Sequence, residues 1–387
     1  MPEEKADLFL RGKYRIAIIV AVIIVIAAIA AILVFTSHTT GTESAPAAKL
    51  TAAGSSLVVT QTTAAPGVST TAKQLYVIKQ SYVGSNGGSG SVVEVIDVAD
   101  KLGYLKDEGI ELQDVGSVGT SKTEKIAALT KGIIDVAHIP VPTAVAAIGT
   151  GVKVKFIAPL MTTTAKQPDG SIVSTGGLVV RSGSALNTPR DFIGKTIGLT
   201  SRGSSPDYFL QEWFSQNGVD IKKVNIVVVP SNSAVQALKS GQVDGIWMFS
   251  SGYFDAKNDV SLETVVEDSS VVGSRLHCGY LVTNDFIQNH PDIAAGLTRA
   301  IVKAWNWEAE HPKELNDLSK QILVDHKMDP SLSKYVYAWQ LTNGVIRDDD
   351  AQFWIDKLTA AGTLKTKLKP SDIFTDQFNP NYKPEDS

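Results

Sequence analysis

Four short polar segments hold the residues of this sequence best suited to grip a ligand. Ser81 and Tyr82 precede a glycine-rich stretch, Gly84 to Gly90, that includes Ser89. Gly119, Thr120 and Ser121 form the second segment, and His138 with Pro140 the third. The fourth runs from Thr200 to Pro206 and contains Arg202, Gly203, Ser204 and Ser205. Each segment is expected to end a strand and open a helix, where free backbone N–H groups and the helix dipole attract anions. Glycine lets the backbone approach a ligand closely. Pro140 suits a first helical turn, and Ser204 and Ser205 can cap. Arg202 adds a guanidinium that can hold a carboxylate or sulfonate through two parallel hydrogen bonds. Trp247 and Tyr82 can supply apolar walls. The chemistry implied is non-covalent capture of a small anion or zwitterion.

Other chemistries lack their residues. The six histidines (His38, His138, His277, His290, His311, His326) show no metal-ligand spacing. Cys278 is the single cysteine, so neither an internal disulfide nor a thiolate zinc site is available. His277 and Cys278 read as a packed pair on a buried strand. Asp348, Asp349 and Asp350 resemble metal bait but better suit the N-terminus of a helix over 351–358. The glycine stretch misses the dinucleotide-binding pattern, and no Gly-x-Ser-x-Gly elbow, Walker loop or His-Glu-x-x-His occurs. No cofactor is expected. Without a cluster of Lys and Arg among aromatics, a nucleic-acid partner is not expected either.

The elements that must position these segments alternate regularly. Strands are expected over 74–83, 110–115, 133–138 and 152–160, with helices over 92–102, over 122–129 and from about Pro140. A second alternation follows, with strands over 196–199, 224–229 and 243–248 and helices over 206–217 and 234–240. Such alternation predicts parallel sheets covered by helices on both faces. Gly132-Ile-Ile-Asp135 and Gly241-Gln-Val-Asp244 occupy matching places in the two halves. From Asp292 onward the pattern is helical, with Trp305, Trp307, Trp339 and Trp354 expected between helices.

Of the 387 residues, 20% are charged, and the net charge is −4. Residues 16–35 are twenty apolar residues without a charge, about the length that crosses a bilayer as a helix. Lys5, Arg11, Lys13 and Arg15 precede them, which puts the N-terminus in the cytoplasm. A cytoplasmic segment 1–15, a transmembrane anchor 16–36 and a flexible Ser/Thr/Ala-rich linker 37–72 are therefore expected. A linker of that composition cannot bury a core and spans roughly 30–36 Å. The protein is expected at the cell membrane, single-pass, with its folded part extracellular or periplasmic.

Gly103-Tyr-Leu-Lys-Asp-Glu-Gly109-Ile-Glu-Leu112 resembles a segment of the solute-binding proteins that serve ABC importers of sulfonates, taurine and nitrate, a family that includes the NMT1/THI5-like proteins. Ala127 to Ala137, Pro189 to Gly198, Ala237 to Asp244 and His290 to Pro312 resemble further family segments, in the same order. The resemblance implies an α/β, two-lobed type II periplasmic-binding-protein fold, each lobe a mainly parallel sheet flanked by helices. Lobe one would hold residues 73–176 and 284–387. Lobe two would hold 177–283, with crossing strands near Gly177–Arg181 and His277–Thr283. The implied function is capture of a small anionic or zwitterionic solute between the lobes by Ser81, Tyr82, Ser89, Gly119, Thr120, His138, Pro140, Arg202, Gly203, Ser204, Ser205 and Trp247. The implied partners are an ABC permease and ATPase on separate chains, and a monomer is expected. Two alternatives are weaker. Relatives that make the thiamine pyrimidine use a cysteine-rich segment absent here. A ligand sensor would need an output partner, since the first 15 residues hold no output domain.

Overall fold

The computed structural model describes residues 75–82, 92–119, 121–339 and 341–383. The membrane and linker expectations for residues 1–72 lie outside the described residues, as do Ser89 and Thr120. Among the described residues, no helix is long and apolar enough to cross a membrane.

Thirteen strands are described: β1 Tyr76–Gln80, β2 Ile110–Asp114, β3 Ala137–Pro140, β4 Val154–Thr162, β5 Thr164–Lys166, β6 Ile172–Ser174, β7 Gly176–Arg181, β8 Thr196–Leu199, β9 Asn225–Val228, β10 Gly245–Phe249, β11 Leu262–Glu267, β12 Leu276–Thr283 and β13 Ala338–Trp339. The second sheet has the order β11-β7-β10-β8-β9, parallel except for β7, which is antiparallel to both neighbours. Its counterpart, the first sheet, is two pieces, β1-β2 and β3-β12-β4, and a separate small sheet has the order β13-β5-β6. Parallel β1 and β2 pair, and β12 runs antiparallel between β3 and β4. The ranges expected as crossing strands are β7, which pairs only within the second sheet, and β12, which pairs only with β3 and β4.

The two Gly-x-x-Asp segments perform one task twice. The Asp135 backbone N–H donates to the Lys79 carbonyl at 2.8 Å, and the Asp135 carboxylate accepts the Lys79 N–H at 2.9 Å. In the second sheet the Asp244 N–H donates to the Thr196 carbonyl at 2.8 Å, and the Asp244 carboxylate accepts the Thr196 N–H at 2.8 Å. Each aspartate thus splices an incoming strand onto its sheet. This also corrects the third strand, expected over 133–138. Ile133 and Ile134 lie in the turn that carries Asp135, so regular pairing starts at Ala137.

Hydroxyl-rich segments cross between the sheets. The Thr163 hydroxyl donates to the Gly273 carbonyl at 2.6 Å and accepts the Arg275 N–H at 2.9 Å. The Thr175 hydroxyl donates to the Thr162 carbonyl at 3.1 Å, and the Ser174 hydroxyl accepts the Ser269 N–H at 3.1 Å. Beside them, Gly176 admits no side chain: a Cβ there would lie 2.3 Å from Asp268 Oδ2. One buried apolar cluster continues through both sheets, joining Ile139 and Phe156 to Leu178, Phe209 and Trp247. The long helix Pro291–Glu310 buries its apolar face in a second cluster with Ile78, Ile96 and Ile157. The three aspartates form the first turn of the helix Asp348–Ala360.

Candidate functional site

Ligands of wound α/β sheets sit beyond the C-terminal strand ends, and here those ends converge. Cys278 of β12 pairs with Pro140, the last residue of β3, which places His277 just beyond the β3 end. Phe249 ends β10, and its ring stacks on His277 with centroids 4.2 Å apart. The C-terminal edges of the two sheets therefore meet at Phe249 and His277.

From the second sheet, the turn after β8 leads into the helix Ser205–Gln216. Ser205 is fully buried at the first helical position, and its hydroxyl has no hydrogen-bond partner among the described residues. Phe209, one turn on and on the same face, approaches the His277 ring at 6.3 Å. His277 is itself buried, and its Nδ1 also has no partner among the described residues. Such groups are uncommon in folded proteins because each forgoes its interaction with water.

From the first sheet, Glu94 precedes the helix Val95–Lys101, and its carboxylate lies 2.9 Å from His138 Nδ1, both residues buried. Lys125, on the helix Lys122–Thr130, is buried and donates its amine to the Ser81 carbonyl at 3.0 Å. Burial lowers the Lys125 pKa to about 8. Burial raises Glu94 to about 6, against the pull of Lys125 and Lys122. Burial, then Lys122 and Lys125, hold His138 well below its ordinary value. Burial, then His138 and Lys122, lower His277 to about 3. The two imidazoles are thus neutral, with the lysines Lys122 and Lys125 and the carboxylates of Glu94 and Asp114 near them.

The expected site residues divide sharply. Ser81, His138 and Ser205 are all buried: the Ser81 carbonyl takes Lys125, His138 faces Glu94, and Ser205 opens the helix that carries Phe209. Tyr82 borders the same region but is committed: its hydroxyl donates to the Val92 carbonyl, and its ring stacks on His326 with centroids 3.8 Å apart. Gly119 serves local packing, since a Cβ there would lie 2.6 Å from Glu124 Cβ. Pro140 ends β3 and is the N-cap of the helix Val141–Gly149, with Pro142 in the first turn. That corrects its expected helical place: its extended backbone still belongs to the sheet.

Arg202 is 53% exposed and bonds Asp207 at 3.2 Å, so its charge is already answered. The Gly203 N–H also donates to Asp207, at 2.8 Å, and the Ser204 hydroxyl donates to the Ser201 carbonyl at 2.8 Å. These two groups close the turn on itself, and Ser204 caps without its side chain. Trp247 is fully buried and donates its indole N–H to Asp268 at 2.7 Å, so it packs as core and not as a cleft wall.

Glu94, Lys122, Lys125 and His277 were not among the expected site residues. His277 was legible from its place on the crossing strand, where the packed-pair reading hid it. Cys278 beside it is packed as expected, with its thiol pushed up to about 12 by burial.

A family model described as NMT1/THI5 like matches residues 93–315, more than half of the chain. Solved structures with the same fold include the putative periplasmic sulfonate-binding protein SsuA of Methylobacillus flagellatus KT, at TM-score 0.60 and 19% identity over 79% of this chain and 93% of that one. The periplasmic aliphatic sulphonate binding protein SsuA of Escherichia coli gives TM-score 0.58 and 14% identity over 78% and 98%. The periplasmic nitrate-binding protein NrtA of Synechocystis PCC 6803 gives 0.58 and 14% over 79% and 87%. No curated protein sequence matches.

Proposed function

The chain belongs to the NMT1/THI5-like family, and on that premise we propose that it captures a small anionic or zwitterionic solute between its two sheets and delivers it to an ABC importer. A sulfonate, nitrate or small carboxylate is the solute class. The reading rests on one observation above the others: Ser205 Oγ and His277 Nδ1, buried and unpartnered among the described residues, lie where the C-terminal sheet edges meet. A solute oxygen there satisfies the serine hydroxyl at a helix N-terminus. Lys122 and Lys125 supply the compensating charge.

The solute leaves chemically unchanged. Permease and ATPase are separate chains, and the protein acts as a monomer outside the cytoplasm. Residues 16–36 anchor it and 37–72 tether it, with lobe one at 73–176 and 284–387 and lobe two at 177–283. The crossover hydroxyls around Thr163 and Thr175 form the hinge between the lobes.

Isothermal titration of the full-length protein with sulfonates, nitrate and small carboxylates tests the reading. At least one anion is expected to bind. Ser205→Ala is expected to weaken that binding about 10- to 100-fold, the worth of a hydrogen bond to a charged group. Arg202→Ala is expected to change it less than about threefold, because an exposed, paired arginine contributes little. Binding of neutral or cationic solutes alone would overturn the proposal.

A further inference from the structure

The Glu94–His138 pair contains more than buried charge. Glu94 is held at the helix entrance, where its backbone N–H donates to Asp97 at 3.0 Å. Its carboxylate faces His138 Nδ1 at 2.9 Å. An ionised carboxylate can only accept, so the neutral ring must carry its proton on Nδ1. Nε2 is then a bare acceptor. His138 Nδ1 makes the one hydrogen bond described for this ring, which leaves Nε2 to accept from a solute. His138 is the second residue of β3, two before its C-terminal end, and is close enough to His277 to lower its pKa. A nitrate or an unsubstituted sulfonate has nothing to offer such a lone pair, and its oxygens would be repelled by it.

We infer that His138 determines specificity by accepting a hydrogen bond through Nε2, so that the solute carries an N–H or O–H donor together with its anionic end. Glu94 is the positioning residue that fixes the tautomer. The solute class narrows to amino- or hydroxy-substituted sulfonates and carboxylates. This inference rests on the anion-binding reading above and narrows it.

The pair also gives the preference a pH limit. A proton added to His138 puts Nε2–H on the ring, and a proton added to Glu94 lets the carboxyl donate to Nδ1 and so permits the Nε2–H tautomer; either weakens Nε2 as an acceptor. The charged and titratable groups acting on the pair come from every packed element. They are Tyr82 after β1, Asp97 on the Glu94 helix, Lys122 and Lys125 on the helix Lys122–Thr130, Asp114 at the end of β2, His277, Cys278 and Tyr280 on β12, and His326 after the helix Pro312–Asp325. Discrimination is expected to hold at neutral pH and to fade as pH falls below about 6, where Glu94 takes up its proton.

The test uses matched pairs that share an anionic end. Full-length protein is titrated calorimetrically at pH 7.5 with taurine and 2-hydroxyethanesulfonate against ethanesulfonate, and with β-alanine against propionate. The donor-bearing member is expected to bind at least about tenfold tighter in one series, since a site built to accept a hydrogen bond rejects a ligand that lacks the donor. In Glu94→Gln the side-chain amide can donate to Nδ1 and free the other tautomer, so the preference is expected to collapse. His138→Phe should lose it, and His138→Gln, which keeps an acceptor at that position, should retain part of it. Melting temperatures report whether each variant folds, and the wild-type ratio decides the matter if one does not. Equal binding of donor-bearing and donor-free members overturns the donor rule alone, and so does a preference unchanged down to pH 5. Failure of every anion to bind overturns the anion reading and the rule with it.

Discussion

Trp354→Ala is expected to cost about 3–5 kcal/mol of stability, the usual loss for a large buried aromatic. The side chain is fully buried on the helix Asp348–Ala360, which packs against the first sheet's helix Val141–Gly149. Its ring meets Phe209 at 5.5 Å and Tyr208 at 6.1 Å, both on the helix that carries Ser205. Its indole N–H donates to the Leu276 carbonyl at 3.0 Å, where β12 begins. Truncation therefore opens a cavity between elements of both sheets and leaves a buried carbonyl short of a donor. Denaturant unfolding monitored by circular dichroism measures the loss. Trp354→Phe, which keeps most of the volume but not the N–H, should fall in between. A cost below about 1 kcal/mol for Trp354→Ala would mean that the two sheets are not packed together through this ring.

The second large effect is a pH dependence. Asp268 is fully buried, with Oδ1 accepting the Trp247 N–H and Oδ2 unpartnered among the described residues. Burial raises its pKa from 3.8 to about 8, partly offset by the Trp247 bond. Between about pH 4 and pH 8 the native carboxyl keeps a proton that the unfolded chain has released. The native state then binds more protons, so this group's contribution is full below pH 4 and is lost as pH rises toward 8. The slope approaches about 1.4 kcal/mol per pH unit. Asp268→Asn keeps the acceptor for Trp247 and cannot ionise. Its stability relative to wild type is expected to improve steadily from pH 5 to pH 8, read as the difference between denaturation midpoints in matched buffers. Parallel profiles would show that Asp268 ionises normally in the native state.

Local pattern and tertiary context divided the legibility of this molecule between them. The α/β alternation and the paired Gly-x-x-Asp segments were visible because each depends on neighbours in sequence. Ser81, His138 and Ser205 were readable as polar residues near strand ends, and their contact with a solute is part of the proposal. Arg202 misled because Asp207, five residues on, neutralises it from a buried position. Trp247 misled because its strand is interior to the second sheet, with β7 and β8 on either side. Glu94 and Lys125 were invisible as site residues, since their burial depends on how helices from separate parts of the chain close over β1 and β3. His277 shows the same limit from the other side. Its burial was foreseeable from the strand, but the missing partner for its Nδ1 was not.

The strand order carries a consequence for synthesis. All five strands of the second sheet come from one unbroken stretch, β7 to β11. In the first sheet, β12 is an interior strand inserted between β3 and β4, and it is made only after the second sheet is complete. Domains fold as units while the chain emerges, but this one cannot fold in the order of its sequence. Until Thr283 has left the ribosome, β3 and β4 each present an open edge, the kind of surface that invites pairing with another chain. The later-starting sheet is the first that can finish, and the nascent chain is most exposed to misassociation in the interval between β4 and β12.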